Sequence, residues 1–228
     1  MRISLCLLTK NEITGCKNDV PLIQRDAFDE IFAVDGNSSD GTIDYLQQQE
    51  IPVYIQPQKG LNAAIVYAFE KCTTDALIFF HPKGSVPMVD TEKFRSFFER
   101  DYELVIASRN IKGAQNEEDT NFFRPRKWFV TSLAVASAVL FRKEGPMIWD
   151  VLHGFRGMTV ESFHRINPSR HGVSIDLEMV VRSYRKKLRR IEFPTKENKR
   201  LAGTTKFKAI PTGWQLLKYL VRELSRDD

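Results

Sequence analysis

Five short apolar runs, with helical stretches between them, recur over the first 109 residues, and this alternation leaves few folds open. Residues 3–8, 30–35, 51–55, 76–80 and 103–107 read as strands, and 76–80 (Ala-Leu-Ile-Phe-Phe) is apolar throughout, as a strand buried on both faces requires. Helices are expected over 20–28, through Tyr45 and Leu46, from Lys59-Gly60 onward, and over 91–98. The third carries Leu61, Ala64, Ile65, Ala68, Phe69 and Cys72 on one face, a 3.6-residue period. Four or five β-then-α units in succession predict an α/β chain: a mostly parallel, Rossmann-like sheet with helices on both faces. Ligands of such sheets bind at the carboxyl ends of the strands. His81 and Lys83, directly after the apolar run, are therefore expected at a ligand.

The second half is less regular. Residues 110–121 are polar and predict a mobile loop, Arg124-Pro125 opens a long helix to Phe141, and 154–156 belongs to a turn. Helices are expected over 160–166, over 177–187 and from Pro211, and a strand over 188–193. Between Arg182 and Lys208 stand 11 Lys and Arg against 2 Glu, so the +5 net charge is concentrated there and points to an anionic partner.

Several chemistries find no support. No G-x-G-x-x-G or P-loop pattern occurs, no G-x-S-x-G, and the four histidines and three cysteines lack metal-ligand spacing. The cysteines read as reduced thiols of a cytosolic protein. No nucleic-acid signature accompanies the basic segment, so no nucleic-acid partner is expected. The longest mostly apolar stretch, 128–141, is 14 residues, short of the roughly 20 that span a bilayer, and no signal peptide is expected at the N-terminus.

Asp35, ending the second run, can accept hydrogen bonds from a ribose or base, or else build the turn with Asn37, Ser38 and Ser39. Arg109, after the run ending at Ala107, shares the sheet edge with Asp35 and Lys83 and suits phosphate oxygens. Asp150 and Glu178 stand apart by local pattern. For each charge the competing reading is a surface ion pair.

Taken in order, these pieces resemble family 2 glycosyltransferases of the GT-A fold, and among them the dolichol-phosphate or polyprenyl-phosphate sugar synthases. The residues that carry the resemblance are Leu8-Thr-Lys-Asn-Glu12, Val34-Asp-Gly-Asn-Ser-Ser-Asp-Gly-Thr42, Lys59-Gly-Leu-Asn-Ala-Ala64, Ala107-Ser-Arg109, Asp150-Val-Leu-His-Gly-Phe-Arg156, Asp176-Leu-Glu178 and Gly203-Thr-Thr-Lys206. The resemblance covers roughly residues 1–210 and implies one GT-A domain there, with a nucleotide-binding half (1–109), an acceptor half (110–210) and a C-terminal amphipathic helix (211–228). It implies inverting transfer of a sugar from a UDP- or GDP-sugar to a polyprenyl phosphate or a glycan. Thr9, Glu12, Asp35, Lys59, His81 and Arg109 would hold the donor. Arg126, Arg156 and Lys206 would hold phosphate or acceptor, and Asp150, Glu178 and Lys83 would carry the catalysis.

One departure matters. The family carries aspartate-x-aspartate, which binds Mg²⁺ or Mn²⁺, where this chain has His81-Pro82-Lys83. The carboxylates a hard cation needs are missing from that position. Two outcomes are open: a metal-independent transferase, or an inactive domain that binds a nucleotide or a partner. The basic segment and the Trp214 helix are expected on an anionic membrane surface, on a membrane partner protein, or completing the core, which would make the protein cytoplasmic and peripheral to the membrane.

Overall fold

A computed structural model describes residues 1–119, 122–203 and 209–226. Seven strands form one sheet in the order β3-β2-β1-β4-β6-β5-β7: β1 (Ile3–Thr9), β2 (Glu30–Asp35), β3 (Val53–Ile55), β4 (Ala76–Phe80), β5 (Leu104–Ser108), β6 (Arg156–Thr159) and β7 (Arg190–Pro194). All neighbours are parallel except β6, which runs antiparallel between β4 and β5. The expected mostly parallel sheet is present. Strand β6 was not legible, because Arg156-Gly-Met-Thr is short, opens on a charge and reads as the tail of a turn.

The helices are α1 (Ile13–Asp19), α2 (Thr42–Gln48), α3 (Leu61–Lys71), α4 (Lys93–Phe98), α5 (Pro125–Phe141), α6 (Val160–Ile166), α7 (Ile175–Arg185) and α8 (Ala209–Leu224). The helix expected over 20–28 lies earlier, as α1, with two 3₁₀ turns at Val20–Leu22 and Arg25–Ala27 behind it. Pro21 explains the shift: it supplies no N–H and cannot continue an α-helical ladder from α1. The segment 110–119 is a loop held by a bridge between Gln115 and Lys196.

Successive strand residues point to opposite faces, so the sheet has two cores. Ile3, Leu5, Leu7, Ile78 and Phe80 pack with Cys16, Leu46, Phe94 and Phe98 of α1, α2 and α4. Cys6, Leu8, Leu77 and Phe79 pack on the other face with residues of α3, α5, α7 and α8. The inner face of α8, built from Leu216, Tyr219 and Leu220, completes that second core. The chain leaves β1 toward β2 and β3 on one side and returns to β4 on the other, so the order reverses between β1 and β4, where open α/β sheets form their ligand crevice.

Candidate functional site

Residues Leu7 and Phe80 pair across β1 and β4, which sets the strand ends Leu8-Thr9 and His81-Pro82 side by side at the switch point. The loop after β4 is pinned from below by α1. Gly15 lies so close to it that a β-carbon there would stand 2.1 Å from the Pro82 carbonyl oxygen, and the carboxylate of Asp19 accepts the Gly84 N–H at 2.8 Å. The chain beyond β7 closes the loop from above. Thr195 N–H donates to the Ser108 carbonyl, Asn198 N–H to that of Ser85 and Leu201 N–H to that of Lys83, so residues 195–201 run across the ends of β5 and β4 toward β1. Gly84, at φ +64°, has Leu201 against it where any side chain would clash.

Under this strap lies a cluster of charges. Arg109 forks onto Asp150, Nε to Oδ2 at 2.8 Å and Nη2 to Oδ1 at 2.9 Å, while its backbone N–H donates to Oδ2 at 2.9 Å and Nη1 to Glu197 at 2.9 Å. Arg200 donates from Nη2 to both carboxylate oxygens of Glu12, at 2.7 and 2.9 Å. Burial alone would raise the Asp150 carboxyl, but Arg109 more than offsets it and holds it below the usual carboxylate range. Glu192 accepts the Trp149 and Asp150 N–H groups at 2.7 and 2.8 Å and so clamps that turn.

Lys83 is partly exposed at the centre. Burial lowers its pKa and Glu12 acts against that shift. Among the described residues none makes an ion pair or hydrogen bond with its ammonium. His81 is kept neutral by burial and then by Lys83. His153 is buried, sets Nδ1 2.5 Å from the Ala107 carbonyl, and is pushed down to about 4 by burial and by Arg109.

The structure thus brings together Glu12, His81, Lys83, Arg109 and Asp150. Other expected residues have different placements. Asp35 is fully buried at the end of β2, where it accepts from Thr9 Oγ1 (2.6 Å), Ser38 N–H (2.6 Å) and Ser38 Oγ (2.7 Å); the turn-building reading describes its present contacts. Lys59 is exposed ahead of α3.

Arg156 is fully buried and its guanidinium is used by the carbonyls of His153, Asp176 and Val151, with Asp176 Oδ1 at 3.2 Å, so its present contacts are those of a strut beneath the site. Glu178 is likewise engaged within the fold. Its buried carboxylate accepts from Ser169 N–H, Ser174 Oγ and Asn62 Nδ2 and sits 3.3 Å from Arg182, none of them members of the cluster around Arg109. It anchors α7 to α3. Arg126 is exposed at the start of α5 and pairs with Glu117 at 2.9 Å and Glu118 at 3.9 Å. Lys206 lies outside the described residues.

Glu197, Arg200, Glu192, Asp19 and His153 were missed. Glu197 and Arg200 stand in a basic stretch with no periodicity, and only the hydrogen bonds of the strap bring them to the site. Glu192 lies in the middle of β7 between half-buried Ile191 and buried Phe193, and could have been found by asking why a carboxylate interrupts an apolar strand.

A divalent cation does not fit this donor set. Glu12, Glu197 and Asp150 are each committed to a guanidinium, an ammonium stands among them, and among the described residues no group of three His, Cys, Asp or Glu is placed to hold a metal.

Sequence comparison with curated proteins gives no match. Among solved structures, glucosyl-3-phosphoglycerate synthase from Mycobacterium tuberculosis is similar throughout: in complex with Mn²⁺, UDP and glucosyl-3-phosphoglycerate it aligns over 100% of this chain and 81% of its own, with a TM-score of 0.70 and 13% identity. Its complex with Mn²⁺, UDP and phosphoglyceric acid aligns with a TM-score of 0.71 at 16% identity, over 100% and 80% of the two chains. Its complex with Mn²⁺, UDP-glucose and phosphoglyceric acid gives 0.70 and 17%, over 100% and 81%. At these identities the likeness establishes the fold. The family rests on sequence: the model described as "Glycosyl transferase family 2" matches residues 16–166, from α1 through the switch-point loop and Asp150 to the end of α6, and a match over that share of a chain with this GT-A sheet means that the protein belongs to glycosyl transferase family 2.

Proposed function

We propose that this glycosyltransferase moves a sugar from a nucleotide-sugar donor to a polyprenyl-phosphate acceptor, with inversion and without a divalent cation. The observation that carries the reading is Lys83: a partly exposed cation at the switch point, beside Arg109 and Arg200, with no direct partner among the described residues. A solvated surface lysine would keep its ordinary pKa; burial at the ligand edge of the sheet instead makes the ammonium seek an anion. The similar structures contain UDP or UDP-glucose, which supports a uridine donor.

In the proposed reaction an acceptor oxygen attacks C1 of the sugar from the face opposite the nucleotide. The C1–O bond to the diphosphate breaks and its electron pair leaves with the diphosphate oxygen. Lys83 and Arg109 neutralise that charge as it grows, the work that the aspartate-held cation does elsewhere in the family. A phosphate acceptor is already ionised, since its second pKa is about 6, and needs no base. A sugar hydroxyl would need one within hydrogen-bond reach. The carboxylates at this edge are poor candidates: Asp150, Glu12 and Glu197 are each tied to a guanidinium, and Asp150 is held strongly acidic. This favours the phosphate over a glycan. A lipid-linked acceptor and a cytosolic donor together place the protein at the cytoplasmic face of a membrane.

A second reading, a domain that binds nucleotide without turnover, draws on the same pairing, since Arg109 and Arg200 are engaged by carboxylates before any ligand arrives. Calorimetry with UDP- and GDP-sugars, followed by transfer to polyprenyl phosphate with and without EDTA, separates the two. Binding and EDTA-resistant transfer support the first reading. Binding without transfer to any acceptor supports the second, and transfer abolished by EDTA overturns the metal-free reaction.

A further inference from the structure

The outer face of the second layer is unusually apolar. Along α8, Ile210, Trp214, Leu217, Val221 and Leu224 are all exposed, Ile210 by 86% and Val221 by 67%, and they follow one another at intervals of four, three, four and three residues. That spacing makes one stripe on the side of α8 opposite its buried Leu216, Tyr219 and Leu220. On α5, Trp128, Val135 and Val139 are exposed in a second stripe, with Leu140 beside it, and Val139 is 78% exposed. Thr131, Ser132, Val135, Ala136, Val139 and Leu140 line a shallow apolar depression of about 560 Å³. The two helices adjoin: a β-carbon on Gly213 of α8 would stand 3.4 Å from the Phe129 ring of α5.

The charges around these stripes are mainly basic, although Lys127 is paired with Asp119 at 2.5 Å and Glu144 is exposed beyond Lys143. From Trp128 to Phe141 α5 carries no charged residue, with Lys127 before this stretch and Arg142 and Lys143 after it. On α8, Lys218 and Arg222 are exposed, and Lys218 lies over the Trp214 ring at 5.7 Å. The one carboxylate among the described residues of α8, Glu223, is buried and turned inward to Arg182, with Nε–Oε1 at 3.0 Å. A second copy of this chain would set cations against cations across such a face. An anionic bilayer complements it: apolar side chains enter the headgroup boundary, tryptophans sit at the interface, and lysine and arginine reach lipid phosphates.

We infer that the adjoining faces of α5 and α8 together form a docking surface for an anionic lipid bilayer. No helix among the described residues is long and apolar enough to cross a membrane. The purpose of this docking, presenting a lipid-linked phosphate to the sheet edge, rests on the proposed reaction; the docking itself does not require turnover.

The test is flotation of the full chain with vesicles of phosphatidylcholine alone and with phosphatidylglycerol added, at low and physiological salt. The expected result is flotation with the anionic vesicles that weakens as salt rises. Val139→Glu combined with Val221→Glu should reduce vesicle binding by roughly tenfold or more, since each places a charge where an apolar side chain would enter the bilayer. Lys218→Glu with Arg222→Glu should lose the preference for anionic lipid, and UDP binding by both double variants reports that they are folded. The inference is overturned if the native chain does not float with anionic vesicles, if the glutamates leave flotation unchanged, or if sedimentation shows a dimer that they dissociate, which would mean a second copy covers the face. Flotation intact with no transfer to polyprenyl phosphate would count against the proposed acceptor and leave the docking surface standing.

Discussion

Arg109 holds Asp150 by three hydrogen bonds, two from its guanidinium and one from its own backbone N–H, all between 2.8 and 2.9 Å. The pair joins the end of β5 to the turn before β6, a turn that Glu192 of β7 also holds. Removing the carboxylate leaves a mostly buried guanidinium with Glu197 as its remaining carboxylate partner. Asp150→Asn is expected to cost about 3–5 kcal/mol of stability. Because the folded carboxyl is held low, the stability the pair brings is present above about pH 4 and is lost only as the pH falls through the folded value. Denaturant unfolding of both proteins between pH 4 and 8 should therefore show a nearly constant gap, and a gap that closes within that window would contradict the pairing.

His153 acts in the same sense as Asp150 but in a higher pH window. Its folded pKa of about 4 lies below the ordinary value of about 6.5, so the unfolded chain binds its proton first. The fold is unpenalised above pH 6.5 and loses up to about 3 kcal/mol as the pH falls from there toward 4. His81, also depressed, adds to the same slope. Imidazole proton NMR across pH 4–8 checks this directly: a His153 resonance that titrates near 6.5 would mean the ring is not buried against Ala107.

Lys83→Ala should weaken UDP affinity by roughly tenfold or more if the ammonium meets the diphosphate, because a hydrogen bond to a charged group contributes about 1.5–3 kcal/mol. Turnover should fall further, by roughly 10²–10³, since the charge on the leaving group is greatest in the transition state. Equal UDP affinity in the variant and the native protein would remove Lys83 from the site.

Gly15→Ala tests how the loop after β4 is positioned. Its added methyl group would lie 2.1 Å from the Pro82 carbonyl oxygen, and a backbone atom cannot move aside cheaply. A loss of about 1–3 kcal/mol is expected, together with weaker UDP binding, as α1 is pushed off the loop. Unfolding and calorimetry on the same variant read both, and an unchanged stability would show that the contact is not tight.

Arg156→Lys separates a strut from a ligand contact. Lysine keeps the charge but cannot reach the carbonyls of His153, Asp176 and Val151 at once. Stability should drop by about 3–5 kcal/mol. UDP affinity, measured at low temperature where the fold persists, should change little. A selective loss of UDP binding at full stability would return Arg156 to the ligand site.

The local pattern of the chain was enough for the repeating β-then-α units, the helix from Leu61, the buried strand from Ala76 and the place of His81 and Lys83 at its end. Those depend on residue spacing and on Gly and Pro, which act on their own neighbours. Only the tertiary structure decided what the charges do. Arg156 and Glu178 have the composition of site residues, yet both are buried and hydrogen-bonded within the fold, and no local signal distinguishes a buried arginine from one that waits for phosphate. Arg200 and Glu197 looked like part of a solvated basic stretch until the strap carried them over the strand ends to Glu12 and Arg109, 188 and 88 residues away in sequence. Contacts of that range depend on how the strands are ordered, and the antiparallel β6 that fixes that order at the crevice is four residues long.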